Sequence, residues 1–187
     1  MGFTTQQLQR FRDCTVPDLC GEAPRLVFVG INPGLWTAAT GTHFAHPSNR
    51  FYPALYRAGI TDVELDRVAG LSDDDRQMLT DRGIAITNIV RRATTRASEL
   101  SRVELRDGAA ELTERLDAWR PKVVAIAGVT AYRSAFGRPK AALGRQPEEL
   151  SGAQLWTVPN PSGLNAHETT DTLANWYRQA AEAAGAL

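Results

Sequence analysis

Two short segments concentrate the side chains suited to holding a flat, polar molecule. One is Gly30-Ile31-Asn32-Pro33-Gly34 and the other is Pro159-Asn160-Pro161-Ser162-Gly163-Leu164. Each combines a carboxamide with proline, which fixes the backbone, and glycine, which lets a ligand approach it closely. A carboxamide offers an acceptor oxygen and two N–H donors, and a pre-aimed amide stabilises charge that develops during a reaction. Asn, Pro and Gly are also the ordinary makers of turns, so either segment alone reads as a turn. Two of them, each following a buried apolar run, point to a site. Neither contains Asp or Glu, and neither contains one of the chain's two lysines, Lys122 and Lys140. A Schiff base within these loops is thereby excluded.

The elements that position these loops can be read from apolar runs. Residues 26–29, 84–87, 122–127 and 155–158 are strand-sized, rich in β-branched residues and without polar alternation, as expected of strands buried on both faces. Helical patterns separate them. Residues 48–58 end at Gly59, with Pro53 a candidate first helical residue. Ser72 precedes three acids at the positive end of a helix that Gly83 stops. Ser101 and Glu104 form a capping box for a helix reaching Trp119 before Pro121, and 128–136 and 168–184 complete the set. Strands alternating with helices predict an α/β fold, a three-layer α/β/α sandwich around a four-stranded parallel sheet. Residues 137–152, rich in Gly, Pro, Lys and Glu, are expected to form an exposed excursion. In such sheets ligands bind beyond the carboxyl ends of the strands, where both motifs fall.

Bulk properties bound the function. The chain's 187 residues fit one domain, residues 1–187, and 43% hydrophobic with 22% charged residues is ordinary for a globular protein. The longest apolar runs fall far short of the roughly 20 residues a membrane helix needs. The N-terminus lacks a secretory pattern, so a cytoplasmic location is expected. Cys14 and Cys20 are too few for a disulfide scaffold or a four-thiolate metal site. His43, His46 and His167 lack metal-ligand spacing, so loop or capping roles are expected and no metal or cofactor is called for. A formal net charge of zero counts against a tight nonspecific nucleic-acid binder. The charge is uneven, with acids crowded between 61 and 81 and Arg91, Arg92, Arg96, Arg102 and Arg106 following. Such a run reads either as a basic face or as solvated helix surface.

Taken together, Gly30-Ile-Asn-Pro-Gly34, Gly41-Thr-His-Phe-Ala-His-Pro-Ser-Asn-Arg-Phe51 and Asn160-Pro-Ser-Gly-Leu164 resemble the mismatch-specific uracil/thymine-DNA glycosylase family, of the uracil-DNA glycosylase fold. The likeness runs from about Val16 to the C-terminal helix. It implies hydrolysis of the bond between a mispaired pyrimidine and its sugar in duplex DNA, with the base flipped out of the stack. By resemblance Asn32 positions the attacking water. A carboxamide is too weak a base to deprotonate that water effectively, so slow turnover is expected. Phe44 corresponds to the ring that stacks on the base, with backbone groups of Ile31 and Phe44 reading its polar edge. Gly34 stands where uracil-only relatives carry a bulky aromatic, which implies tolerance of a thymine methyl; a turn with positive φ is the alternative reason for that glycine. Asn160 and Gly163 line the same pocket by resemblance, and Leu164 is the wedge that fills the hole in the stack. Where the family often has a basic residue next, this chain has Asn165-Ala166-His167. The last loop also lacks the histidine by which other uracil glycosylases stabilise the leaving base.

The expected partner is therefore double-stranded DNA with a mispaired or damaged pyrimidine, bound by a monomer. Two other readings stand beside this one. A noncatalytic DNA-binding module would also use Phe44 and Leu164. A nucleoside- or nucleotide-processing enzyme fits less well, since no glycine-rich phosphate loop is present.

Overall fold

Successive side chains along the central strands join two different cores. In β1 (Leu26–Gly30) every residue is buried, yet Leu26 and Phe28 belong to one apolar cluster while Val27 and Val29 belong to another. The period of two sends successive side chains to opposite faces of the sheet. The same split recurs in β2 (Ile84–Asn88), with Ile84 and Ile86 opposite Ala85, and in β3 (Val123–Ala127), with Val123 and Ala125 opposite Val124 and Ile126. The computed structural model describes residues 2–187.

Helices cover both faces. On one side, α3 (Phe51–Arg57), α4 (Asp73–Asp81) and α7 (Thr170–Ala184) present Phe51, Leu55, Leu79, Leu173 and Tyr177 to the first cluster. On the other, α5 (Arg102–Trp119) and α6 (Val129–Phe136) present Leu112, Leu116 and Tyr132 to the second. Each fully buried side chain of this size contributes about 1.5–3 kcal/mol. Helix starts follow the sequence: the Asp75 amide donates to Ser72 Oγ over 3.1 Å and the Glu104 amide to Ser101 Oγ over 3.1 Å. No described helix is long and apolar enough to cross a membrane.

The sheet has five strands rather than four, in the order β2-β1-β3-β5-β4. β1, β2, β3 and β5 (Ala153–Val158) are parallel, whereas β4 (Gly144–Leu150) pairs antiparallel with β5. The segment expected to be an exposed excursion therefore holds a strand. Its polar composition and Pro147 are those of a sheet edge, where few side chains need burial and a missing N–H is tolerated. Ser151 and Gly152, with φ of 53° and 76°, make the tight turn between β4 and β5. The helix expected over 48–58 is shorter, and Pro53 is its third residue rather than its first. Two short helices went unforeseen, α1 (Thr5–Gln9) and α2 (Leu35–Thr40).

Candidate active site

From β1 the chain runs outward to β2 and then crosses back to β3 on the other side of β1. That reversal opens a crevice beyond the carboxyl ends of the strands. A cavity of about 300 Å³ lies there, and all four parallel strands contribute to it. Asn88 ends β2, Ala127 ends β3, Ile31 to Gly34 follow β1, and Asn160 lies just past β5. Phe44, Trp36 and Leu8 add apolar wall.

Asn32 is held by a neighbouring loop as well as by its own turn. Its Nδ2 donates to Thr94 Oγ1 at 2.7 Å, to the Arg92 carbonyl at 2.9 Å and to its own turn at Pro33 at 3.2 Å. Thr94 Oγ1 spends its proton on the Arg96 carbonyl at 2.9 Å, so it accepts from Asn32. All three partners demand the amide nitrogen, which fixes the orientation of the carboxamide. Its Oδ1 accepts no hydrogen bond among the described residues and remains free to accept one from a ligand or water. The two loops are laced together by the Ile89, Val90 and Thr94 amides, which donate to the Gly30, Ile31 and Pro33 carbonyls over 2.9–3.1 Å. Gly34 has an ordinary φ of −77° and nothing lies within 4 Å of a Cβ built on it, so the positive-φ explanation of this glycine fails.

A second carboxamide, Asn88, is oriented by a buried histidine. His43 Nε2 lies 3.0 Å from the Pro17 carbonyl, which can only accept, so that nitrogen carries the proton. Nδ1 is then the acceptor for Asn88 Nδ2 at 2.9 Å. The imidazole is neutral, and burial pushes its pKa down, offset in part by the Pro17 bond and Asp18. The Asn88 oxygen packs against Gly30, where an added Cβ would come within 2.4 Å of Oδ1 and 3.2 Å of the Phe44 ring. Gly30 thus permits strand, amide and ring to meet. Phe44 has a φ of 56° and stacks on Phe51, with centroids 4.2 Å apart and planes 25° apart. One ring face is taken by Phe51, and the side chain also lines the cavity.

The last loop meets the site differently. Asn160 lines the cavity, and its Oδ1 accepts from the Ser162 amide at 2.9 Å, leaving Nδ2 without a partner among the described residues. Ser162 joins the wall, but Gly163 does not. It packs on Ser48, whose Oγ would lie 2.5 Å from an added Cβ. Leu164 is 92% exposed, the most exposed large apolar side chain described.

No Asp, Glu, Lys or Arg lines the cavity, whereas four carboxamides do, those of Asn32, Asn49, Asn88 and Asn160, together with the imidazole of His46. The arginine run beyond β2 is partly neutralised: Arg92 pairs with Asp13 and Glu104, and Arg91 lies 3.8 Å from Asp18. Arg96, Arg102 and Arg106 make no ion pair among the described residues. His43 and His46 both stand in the loop between α2 and α3, as expected; His46 is bonded to Ser48 at 2.9 Å, and His43 is buried.

The model of the uracil DNA glycosylase superfamily matches residues 17–184 of this chain. The chain belongs to that superfamily. Its fold is similar to the solution NMR structure of a "putative Uracil DNA glycosylase" from Methanosarcina acetivorans, with a TM-score of 0.61 and 15% identity over 88% of this chain and 96% of the other. As a uracil DNA glycosylase superfamily member, the chain has its polar pocket at the sheet's topological switch, between loops far apart in sequence. Asn49, Asn88, His43, His46, Thr94, Trp36 and Leu8 are among the site residues that sequence reasoning missed. For Asn88 a signal existed, an asparagine closing an apolar strand, though one weaker than the loops with proline and glycine. For Leu8 there was none.

Proposed function

We propose that this protein hydrolyses the N-glycosidic bond of uracil mispaired with guanine in duplex DNA, leaving an abasic site. The observation that carries this reading is the pocket itself: four carboxamides and no Asp, Glu, Lys or Arg around a space of about 300 Å³ that Phe44 walls on one side. A neutral planar base that both donates and accepts hydrogen bonds is the matching guest. The duplex conceals its bases, so the target must rotate out of the stack to enter.

In this reading Phe44 stacks on the extruded base, backed by Phe51. Asn88, its amide orientation set by neutral His43, presents donor and acceptor to the base edge, together with backbone groups of Ile31 and Phe44. Asn32 Oδ1 accepts a hydrogen bond from the attacking water. As the bond breaks the sugar becomes cation-like and the base departs as an anion, so pre-oriented dipoles supply the stabilisation. An amide oxygen aligns the water without deprotonating it, which favours attack after most bond cleavage and a slow rate. The open space at Gly34 admits a substituent on the ring, so thymine and modified pyrimidines opposite guanine fall within the proposed range. Leu164 fills the vacated stack. The enzyme acts as a cytoplasmic monomer with one domain.

The test is release of free uracil from a duplex carrying one G:U pair. The purified protein is expected to release it and the Asn32→Ala variant is not. Binding to that duplex with no release by the wild-type protein would leave a noncatalytic damage-binding module. Release from free deoxyuridine as fast as from the duplex would make it a nucleoside hydrolase.

A further inference from the structure

The loop carrying Leu164 is gripped from outside by one side chain. Arg50 Nη2 donates to the Ser162 and Asn165 carbonyls, each at 2.8 Å, and Nη1 donates to the Glu168 carbonyl. The Arg50 amide adds a fourth bond, to the Pro161 carbonyl at 3.0 Å. Four backbone oxygens on both sides of Leu164 thus converge on a single residue just before α3. No carboxylate competes for this guanidinium among the described residues. Arginine suits the task because its planar fork aims several donors at once, whereas lysine is a flexible point charge.

The grip ties the loop to the turn that leads on from the Phe44 wall. Arg67 Nη2 holds that turn by the Pro47 and Asn49 carbonyls at 2.8 and 3.1 Å, and Ser48 leaves no room for a side chain at Gly163, where an added Cβ would lie 2.8 Å from its carbonyl oxygen. Leu164, at the apex, is itself left exposed. An apolar side chain that enters a base stack must do so from a loop already ordered, because ordering it during insertion would cost conformational entropy.

We propose that Arg50 is a positioning residue for strand insertion, pre-setting loop 161–168 so that Leu164 enters the duplex as the target base leaves. This rests on the glycosylase reading above. Arg50 touches neither base nor water in that reading. Its loss therefore matters where extrusion has to be driven and not where the base is already unpaired.

The experiment compares single-turnover uracil release from a G:U duplex and from the same uracil inside an unpaired bubble, for wild type, Arg50→Lys, Leu164→Ala and the double variant. Arg50→Lys is expected to slow the duplex reaction by about tenfold or more while changing the bubble reaction less than about twofold. In the Leu164→Ala background the same substitution should add little on the duplex, since both act on one step. Equal losses on duplex and bubble, including those of a misfolded variant, would assign Arg50 a purely structural role and overturn the proposal. So would an unchanged duplex-to-bubble ratio, or fully multiplicative losses in the double variant. Wild-type protein inactive on both substrates would instead refute the glycosylase reading.

Discussion

Asn32 Nδ2 donates to Thr94 Oγ1 over 2.7 Å, so the amide that follows β1 is aimed by a hydroxyl that follows β2. Removing the amide should cost far more than removing its guide. Asn32→Ala is expected to lower single-turnover uracil release by about 10²–10³-fold, as for loss of one pre-oriented dipole. Thr94→Val keeps the volume and loses two hydrogen bonds, to Asn32 and to the Arg96 carbonyl; the one that aims the amide is worth about 1 kcal/mol, a loss of roughly fivefold in rate. A Thr94→Val rate equal to that of wild type would show that the amide is held well enough without it.

Gly30 is required by close approach. Its Cβ would meet Asn88 Oδ1 at 2.4 Å and the Phe44 ring at 3.2 Å, and both belong to the pocket. Gly30→Ala is expected to destabilise the fold by roughly 1–3 kcal/mol in urea unfolding. Activity should fall with it, because the two displaced groups are those assigned to the base.

The opposite holds at Gly34, where φ is ordinary and the space is empty. Gly34→Ala should change stability by less than about 0.5 kcal/mol. Its effect should fall on selectivity: release of thymine or other 5-substituted pyrimidines opposite guanine is expected to drop relative to uracil. A parallel drop for all bases would place the substituent elsewhere in the pocket.

His43 makes folding sensitive to acid. Its native pKa is lowered by burial, so the unfolded chain binds the proton first. The stability it protects is complete above the ordinary histidine value near 6.5 and is lost as pH falls from there toward the lowered native value. The melting temperature of wild type should therefore decline through that window. His43→Asn should lose part of the decline. Asp18, Arg76 and Arg91, which act electrostatically on the ring, remain in both proteins.

Much of this was legible in the residues. Strand and helix positions followed from apolar runs and from the Ser72 and Ser101 caps, because those signals are local. Asn32, Ile31, Gly34, Phe44 and Asn160 were singled out, and the structure brings them to one cavity. What stayed hidden was set by tertiary partners. Polar β4 is a strand because β5 offers it a ladder. Asn88 is aimed by His43, forty-five positions away. Gly163 was placed on the cavity wall by analogy but sits on Ser48, and the grip of Arg50 on the last loop involves carbonyls that carry no sequence signature.

Among the described residues, the first and last segments of the chain pack near different ends of β1. Phe3 rests edge-on against Trp36 at the cavity wall, with ring centroids 5.0 Å apart, whereas the Gly185 carbonyl is bound by Arg25, at the far end of β1. Five strand residues, about 15 Å of chain, lie between those levels. A fluorophore, purification handle or immobilising surface attached after Leu187 would leave the approach of a nucleic acid clear. The same attachment ahead of Gly2 would crowd it.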